Sequence, residues 1–164
     1  MRWMILAFVA IVSTPVFAVK VGDVLPHLSV QDNSGKSSQP WAGKQTLINF
    51  WATWCDACKV ELKEMESEVS KLSPNRAVVF VSLDKEPKKA RDYFAKEFKT
   101  ASPMQSSLYY DSKFEMADTL GVSSFPMTLI VDESGKVLKI QDGFKPGAGS
   151  TEALFNALNG LPVK

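Results

Sequence analysis

The chain has 164 residues, enough for one domain of common size and too few for two. Hydrophobic residues make up 45% and charged residues 23%, which excludes a disordered or fibrous chain. The formal net charge is +1 with acids and bases interspersed, so no nucleic-acid partner and no anionic membrane face is expected.

Taken in order, the chain opens with a segment that does not read as part of a domain. Arg2 supplies a positive start, Trp3 to Val12 is uninterruptedly apolar, and Ser13-Thr14-Pro15 breaks the run. Val16-Phe17-Ala18 then places small residues before a scissile bond, so residues 1–18 are expected to be a secretory signal peptide cut after Ala18. The rival reading is an uncleaved anchor, the one way this chain would meet a membrane. The charge-free stretch Trp3 to Val19 is only 17 residues, the lower edge of a bilayer span, and Pro15 also favours cleavage. Either reading places the domain, residues 19–164, outside the cytoplasm, where disulfides persist.

Leu28-Ser29-Val30 alternates as a short strand and Asp32 to Lys36 carries turn chemistry, which predicts a small β-hairpin ahead of the main domain. His27, the single histidine, reads as an exposed loop residue. Thr46 to Trp51 is short, apolar and β-favouring, as expected of a buried central strand. From Cys58, apolar residues recur at Leu62, Met65, Val69 and Leu72 in steps of three and four, giving a helix that Ser73-Pro74-Asn75 ends. Val78 to Leu83 is a second buried strand, and Asp84 to Pro87 reads as the cap of a helix bearing Ala90, Tyr93, Phe94 and Phe98. Thr100 to Ser107 reads as a polar loop and Leu108 to Tyr110 as a short strand. Asp111 or Ser112 is expected to cap a helix that runs to Leu120 and closes at Gly121. Met127 to Val131 and Val137 to Ile140, joined by Asp132 to Gly135, predict an antiparallel hairpin, and Ser150 opens a last helix. The order β-α-β-α-(β)-α-β-β-α predicts an α/β fold with one mixed central sheet and helices on both faces.

The only two cysteines, Cys55 and Cys58, stand three apart where the central strand gives way to a helix. Residues i and i+3 share a helix face, near enough for a disulfide, so the pair can cycle between two thiols and one bond. Cys55 falls at the helix N-terminus, where unpaired amides and the dipole favour an anion, and the thiolate is the nucleophile. Cys58, a turn further in, is placed to act second. Three other uses of the pair remain open. A zinc site wants about four ligands and the chain offers two cysteines and a distant histidine. Cu(I) suits two thiolates, although the six methionines form no M-x-x-M cluster. A structural staple closing so small a loop removes little chain entropy. No metal ligand set and no cofactor is assigned.

The run Phe50-Trp51-Ala52-Thr53-Trp54-Cys55-Asp56-Ala57-Cys58 resembles the active site of the thioredoxin superfamily, and more closely that of the TlpA/ResA-like thiol-disulfide oxidoreductases. Val21-Gly22-Asp23 with Pro26, Glu61 three residues after Cys58, Gly121 to Pro126, Asp132 to Val137 and Gly143 extend the resemblance over residues 21 to 160. It implies a thioredoxin-like fold, a catalytic Cys55 and Cys58, a cis peptide bond at Pro126, and Phe125 and Pro126 beside the dithiol to receive a peptide. It also implies that Glu61, a turn past Cys58, exchanges a proton with it, since partly buried carboxylates suit acid/base work. Trp51 is expected in the core and Trp54 as an exposed contact platform. Three residues depart from the pattern. Ala57 and Lys63 stand where the family often has proline, and Asn49 stands where thioredoxin has a buried aspartate. Asp56 adds a carboxylate beside Cys55 that should partly oppose the helix dipole.

The resemblance implies a periplasmic or otherwise secreted thiol-disulfide oxidoreductase that reduces disulfides of exported proteins, apocytochrome c among them. It implies too a membrane electron donor of the DsbD or CcdA type. The alternatives are a disulfide donor or isomerase using the same pair, and a Cu(I) chaperone on the same scaffold. A peroxidase is disfavoured because the T-x-x-C pattern is missing.

Overall fold

A computed structural model describes residues 18–160, so the expected signal peptide lies outside the described residues except for Ala18. Seven strands are ordered β2-β1-β5-β4-β3-β6-β7. They are β1 Val30–Gln31, β2 Ser37–Ser38, β3 Gln45–Trp51, β4 Arg76–Ser82, β5 Leu108–Tyr110, β6 Met127–Val131 and β7 Val137–Asp142. The helices are α1 Asp56–Val69, α2 Pro87–Glu97, α3 Pro103–Ser106, α4 Glu115–Leu120 and α5 Ser150–Asn159. Strands β3, β4 and β5 run parallel, whereas β6 joins β3 antiparallel and β7 joins β6 antiparallel. This is the mixed sheet read from the sequence.

Every residue of β3 is buried, as an apolar run covered on both faces should be. The alternation of its side chains divides the core in two. Leu47 and Trp51 pack with α1, α2, α3 and α5 through Leu62, Met65, Phe94, Met104, Leu154 and Phe155. Ile48 and Phe50 pack on the other face with Met116, Ala117 and Leu120 of α4 and with Val19, Leu25 and Trp41 of the N-terminal segment. Asn49 lies between Leu47 and Trp51 in phase, so its side chain faces α1.

Two turns share one sequence pattern and one geometry. In Asp32-Asn33-Ser34-Gly35-Lys36 the Asp32 carboxylate accepts from the Ser34 N–H and hydroxyl and from the Lys36 N–H, at 2.8, 2.6 and 3.0 Å. In Asp132-Glu133-Ser134-Gly135-Lys136 the Asp132 carboxylate accepts the equivalent three at 2.9, 2.6 and 3.0 Å. Gly35 at φ 81° and Gly135 at φ 82° supply the left-handed residue each turn requires. The first turn links β1 to β2; this hairpin adds to the sheet through Gln31 opposite Tyr110 instead of standing apart from it.

Three expectations are corrected. The stretch read as a loop from Thr100 to Ser107 contains α3, capped by the Ser102 hydroxyl on the Met104 N–H and anchored by buried Met104; four residues are too few for a visible period. Helix α4 starts at Glu115, later than a cap at Asp111 or Ser112 implies. Phe114 turns left-handed at φ 62°, while the Asp111 carboxylate still reaches the Ala117 N–H at 2.9 Å. Helix α1 ends at Val69, before Leu72, whose N–H closes a turn on the Val69 carbonyl. Helix α2 begins at Pro87 with Glu86 as its N-cap, inside the expected capping stretch, although no side chain caps it.

Candidate active site

The turn between β3 and α1 carries the dithiol. Cys55 has extended backbone angles and is the N-cap of α1, and its Sγ accepts the Cys58 N–H at 3.1 Å. The two sulfurs are joined in a disulfide with a Cα–Cα distance of 5.3 Å. Cys58 is fully buried, whereas Cys55 keeps 9% of its surface. The first sulfur is therefore more covered than a freely exposed thiol, yet it is the only one of the two that a partner can touch.

Asp84 fixes the turn from outside the helix. Its carboxylate accepts the Thr53 N–H at 3.0 Å and the Thr53 hydroxyl at 2.6 Å, and it takes the Ser82 hydroxyl at 2.9 Å. The Leu83 N–H donates to the Trp51 carbonyl, which ties the end of β4 to the end of β3 just before the cysteines. Sequence reasoning read Asp84 as part of a helix cap and missed this role; an acid directly after a buried strand was the only signal.

Trp54 is 60% exposed beside Cys55, while Trp51 is wholly buried. The Trp54 ring meets Phe125 edge-on with centroids 5.4 Å apart. Phe125 also packs against the cluster that holds Cys55 and Cys58, and it precedes a cis peptide bond to Pro126. An open cleft of about 540 Å³ flanks Trp54, bordered by Thr53, Leu83, Asp84, Lys85 and Phe114. His27 is exposed on a loop, apart from this cluster. Among the described residues no three His, Cys, Asp or Glu side chains are grouped to hold a metal ion.

Beneath the helix lies a buried polar row. Strand register sets Thr128 of β6 opposite Asn49 of β3, and Gln141 of β7 opposite Thr128. Glu61, one turn past Cys58 and with no accessible surface, sits over this row. Asn49 Nδ2 donates to Glu61 Oε2 at 2.8 Å and to Thr128 Oγ1 at 2.9 Å. Gln141 Nε2 donates to Glu61 Oε1 at 3.4 Å. Desolvation raises the Glu61 carboxyl to about 7, against the stabilising Asn49 hydrogen bond and with a further push from the Glu64 charge. The group therefore gains and loses its proton near neutrality. Thr128 and Gln141 escaped sequence reasoning because only strand register brings them under Glu61.

At the surface, Asp56 is paired with Lys59 at 2.6 Å, and that contact holds its carboxyl below the usual range. The opposition to the helix dipole expected from Asp56 is thus partly offset by a cation one turn on. Lys63, at a family proline position, instead bridges to Glu97 of α2 at 2.9 Å.

The AhpC/TSA family model matches residues 21–140. The chain belongs to the AhpC/TSA family. It is 35% identical over 130 residues to the thioredoxin-like protein YneN of Bacillus subtilis, covering 76% of this chain and 73% of that protein. It is 30% identical over 129 residues to the thiol-disulfide oxidoreductase ResA of Geobacillus thermodenitrificans, covering 77% and 71%. A solved structure described as a thiol:disulfide interchange protein DsbE, from Chlorobium tepidum, matches with a TM-score of 0.68 and 25% identity, over 87% of this chain and all of that one. The fold is thioredoxin-like, and this AhpC/TSA member is a thiol-disulfide oxidoreductase of the ResA type carrying a Cys55–Cys58 pair.

Proposed function

We propose that this protein works outside the cytoplasm as a reductant of disulfides in exported proteins. Cys55 is the attacking thiol, Cys58 the resolving thiol and Glu61 the proton partner of Cys58. Trp54, Phe125 and Pro126 receive the substrate segment. The observation that carries this reading is the position of Cys55 as N-cap of α1, with its sulfur on the Cys58 amide and the greater share of exposed surface. A thiolate there is stabilised by the helix end and can be reached.

The Cys55 thiolate attacks one sulfur of the substrate disulfide, and the other substrate sulfur leaves and takes a proton from solvent. Cys58 gives its proton to the Glu61 carboxylate and attacks the Cys55 sulfur. The mixed disulfide breaks, the Cys55–Cys58 bond forms, and the second substrate sulfur leaves and takes a proton from solvent, so the substrate departs with two thiols. Two electrons pass to the substrate, and a carboxyl that titrates at about 7 is matched to accepting that proton at neutral pH.

The export cues in residues 1–18 support the location. In an oxidising compartment the dithiol needs a source of electrons, so the reading includes a membrane donor of the DsbD or CcdA type. Apocytochrome c awaiting haem is one substrate of the required chemistry. Equilibration with glutathione or thioredoxin tests the direction. A reduction potential below about −250 mV is expected, and one near about −120 mV would make the protein a disulfide donor.

A further inference from the structure

Glu61 has two oxygens, and the sheet treats them differently. Oε2 is held by Asn49, whose two amide hydrogens are spent on Glu61 and Thr128. Oε1 faces Gln141. Glu61, Asn49 and Thr128 have at most 1% of their surface exposed, whereas Gln141, on the last strand of the sheet, is half-buried. Of the four side chains in the network, only Gln141 reaches water.

We propose that Gln141 is a positioning residue for Glu61, anchoring the Oε1 side of the carboxylate and forming the side of the network through which its proton passes to and from solvent. The proposal rests on Glu61 as the proton partner of Cys58. Gln141 does not touch the sulfurs or the substrate; it acts through Glu61. A donated amide hydrogen favours the ionised carboxylate.

The surroundings leave few competing charges. Strands β3 and β6 carry no charged residue over Gln45–Trp51 and Met127–Val131. Helix α1 adds Glu64, one turn on, which α5 meets with the uncharged Thr151 hydroxyl at 3.1 Å. Alternation places Lys139 on the same face of β7 as Gln141, two residues earlier. Asp56 and Lys59, at the start of α1, are tied to each other. Loss of the Gln141 amide is therefore not made good by a neighbouring cation already bonded to Glu61.

Two substitutions with opposite expected signs test this in the full oxidised chain. Gln141→Met keeps length and removes the donors; Gln141→Lys offers a cation to the same oxygen. Following the Glu61 carboxyl carbon by NMR, the titration midpoint should rise by about half a unit or more in the first and fall by a similar amount in the second. Disulfide-exchange rates measured across pH should move with the midpoints. An unchanged midpoint in Gln141→Met, or shifts of the same sign in both variants, would overturn the proposal, because a merely structural residue gives no sign reversal. Midpoints that move as stated while exchange ignores them would uphold the place of Gln141 and remove Glu61 from the reaction.

Discussion

Asp84 and Thr53 are joined by two hydrogen bonds, one to the backbone N–H and one to the hydroxyl, although 31 residues separate them. The contact clamps the turn two residues before Cys55 onto the end of β4. Asp84→Ala leaves the Thr53 N–H and the Ser82 hydroxyl without this acceptor in a mostly buried place. Loss of about 1–3 kcal/mol of stability is expected, read by urea unfolding of the oxidised protein. Disulfide exchange should slow as well, since the turn that aims Cys55 is loosened. Thr53→Val, which keeps the backbone bond, should show the smaller loss of the two; an equal or greater loss would place the clamp in the hydroxyl alone.

Cys58→Ser should accumulate mixed disulfides on Cys55, because attack proceeds and resolution does not. Cys55→Ser should accumulate none, as Cys58 has no accessible surface. Non-reducing gels of cells expressing each variant, followed by mass spectrometry of the bands, check both. Adducts on Cys58 would reverse the two roles.

Glu61 links stability to pH. Its folded value, about 7, lies above the ordinary 4.5 of an unfolded chain, so between those values the native state holds more protons than the unfolded one. The stabilising contribution is full below about 4.5 and is lost as pH rises through 7. The loss is on the order of 3 kcal/mol. Denaturant unfolding at pH 5 and pH 8 should show the wild type weakening relative to Glu61→Gln over about that window. A constant difference between the two proteins would mean that the carboxyl titrates normally.

The pair Asp56–Lys59 tunes the helix end that carries Cys55. Lys59→Met leaves the Asp56 charge uncompensated and should slow alkylation of the reduced Cys55. Asp56→Asn should speed it. Both effects should shrink in high salt, because the pair is at the surface. Rates that ignore salt would point to altered packing in place of charge.

The dithiol was legible because its chemistry is local: two cysteines at helical spacing after an apolar strand define a helix-end thiol wherever the sheet places them. The turns at Asp32 and Asp132 were legible for the same reason, since each closes on its own five residues. Glu61 could be picked out because it matches the acidic position of the TlpA/ResA-like pattern, but its complete burial could not, because that depends on β3, β6 and β7 arriving beneath it. Asp84, Thr128 and Gln141 depend on contacts spanning 31, 79 and 80 residues, which no short pattern records. Helix α3 was hidden by its length, and the start of α4 by Phe114, an aromatic residue in a conformation usually left to glycine or asparagine.

The pairing of Gln31 with Tyr110 carries a consequence for how the protein survives in solution. Strand β5 is followed in the sheet only by the two-residue β1 and then β2. Without that small flap, β5 would present an open row of amides and carbonyls, the template on which a second molecule adds a strand. A chain in which Gln31 to Ser38 are replaced by a short Gly-Ser linker, so that Val19, Leu25 and Val30 stay in the core, should therefore keep its cysteine pair yet self-associate, visible as light scattering that grows with concentration. The hairpin is a guard against aggregation, set at the end of the sheet remote from β7.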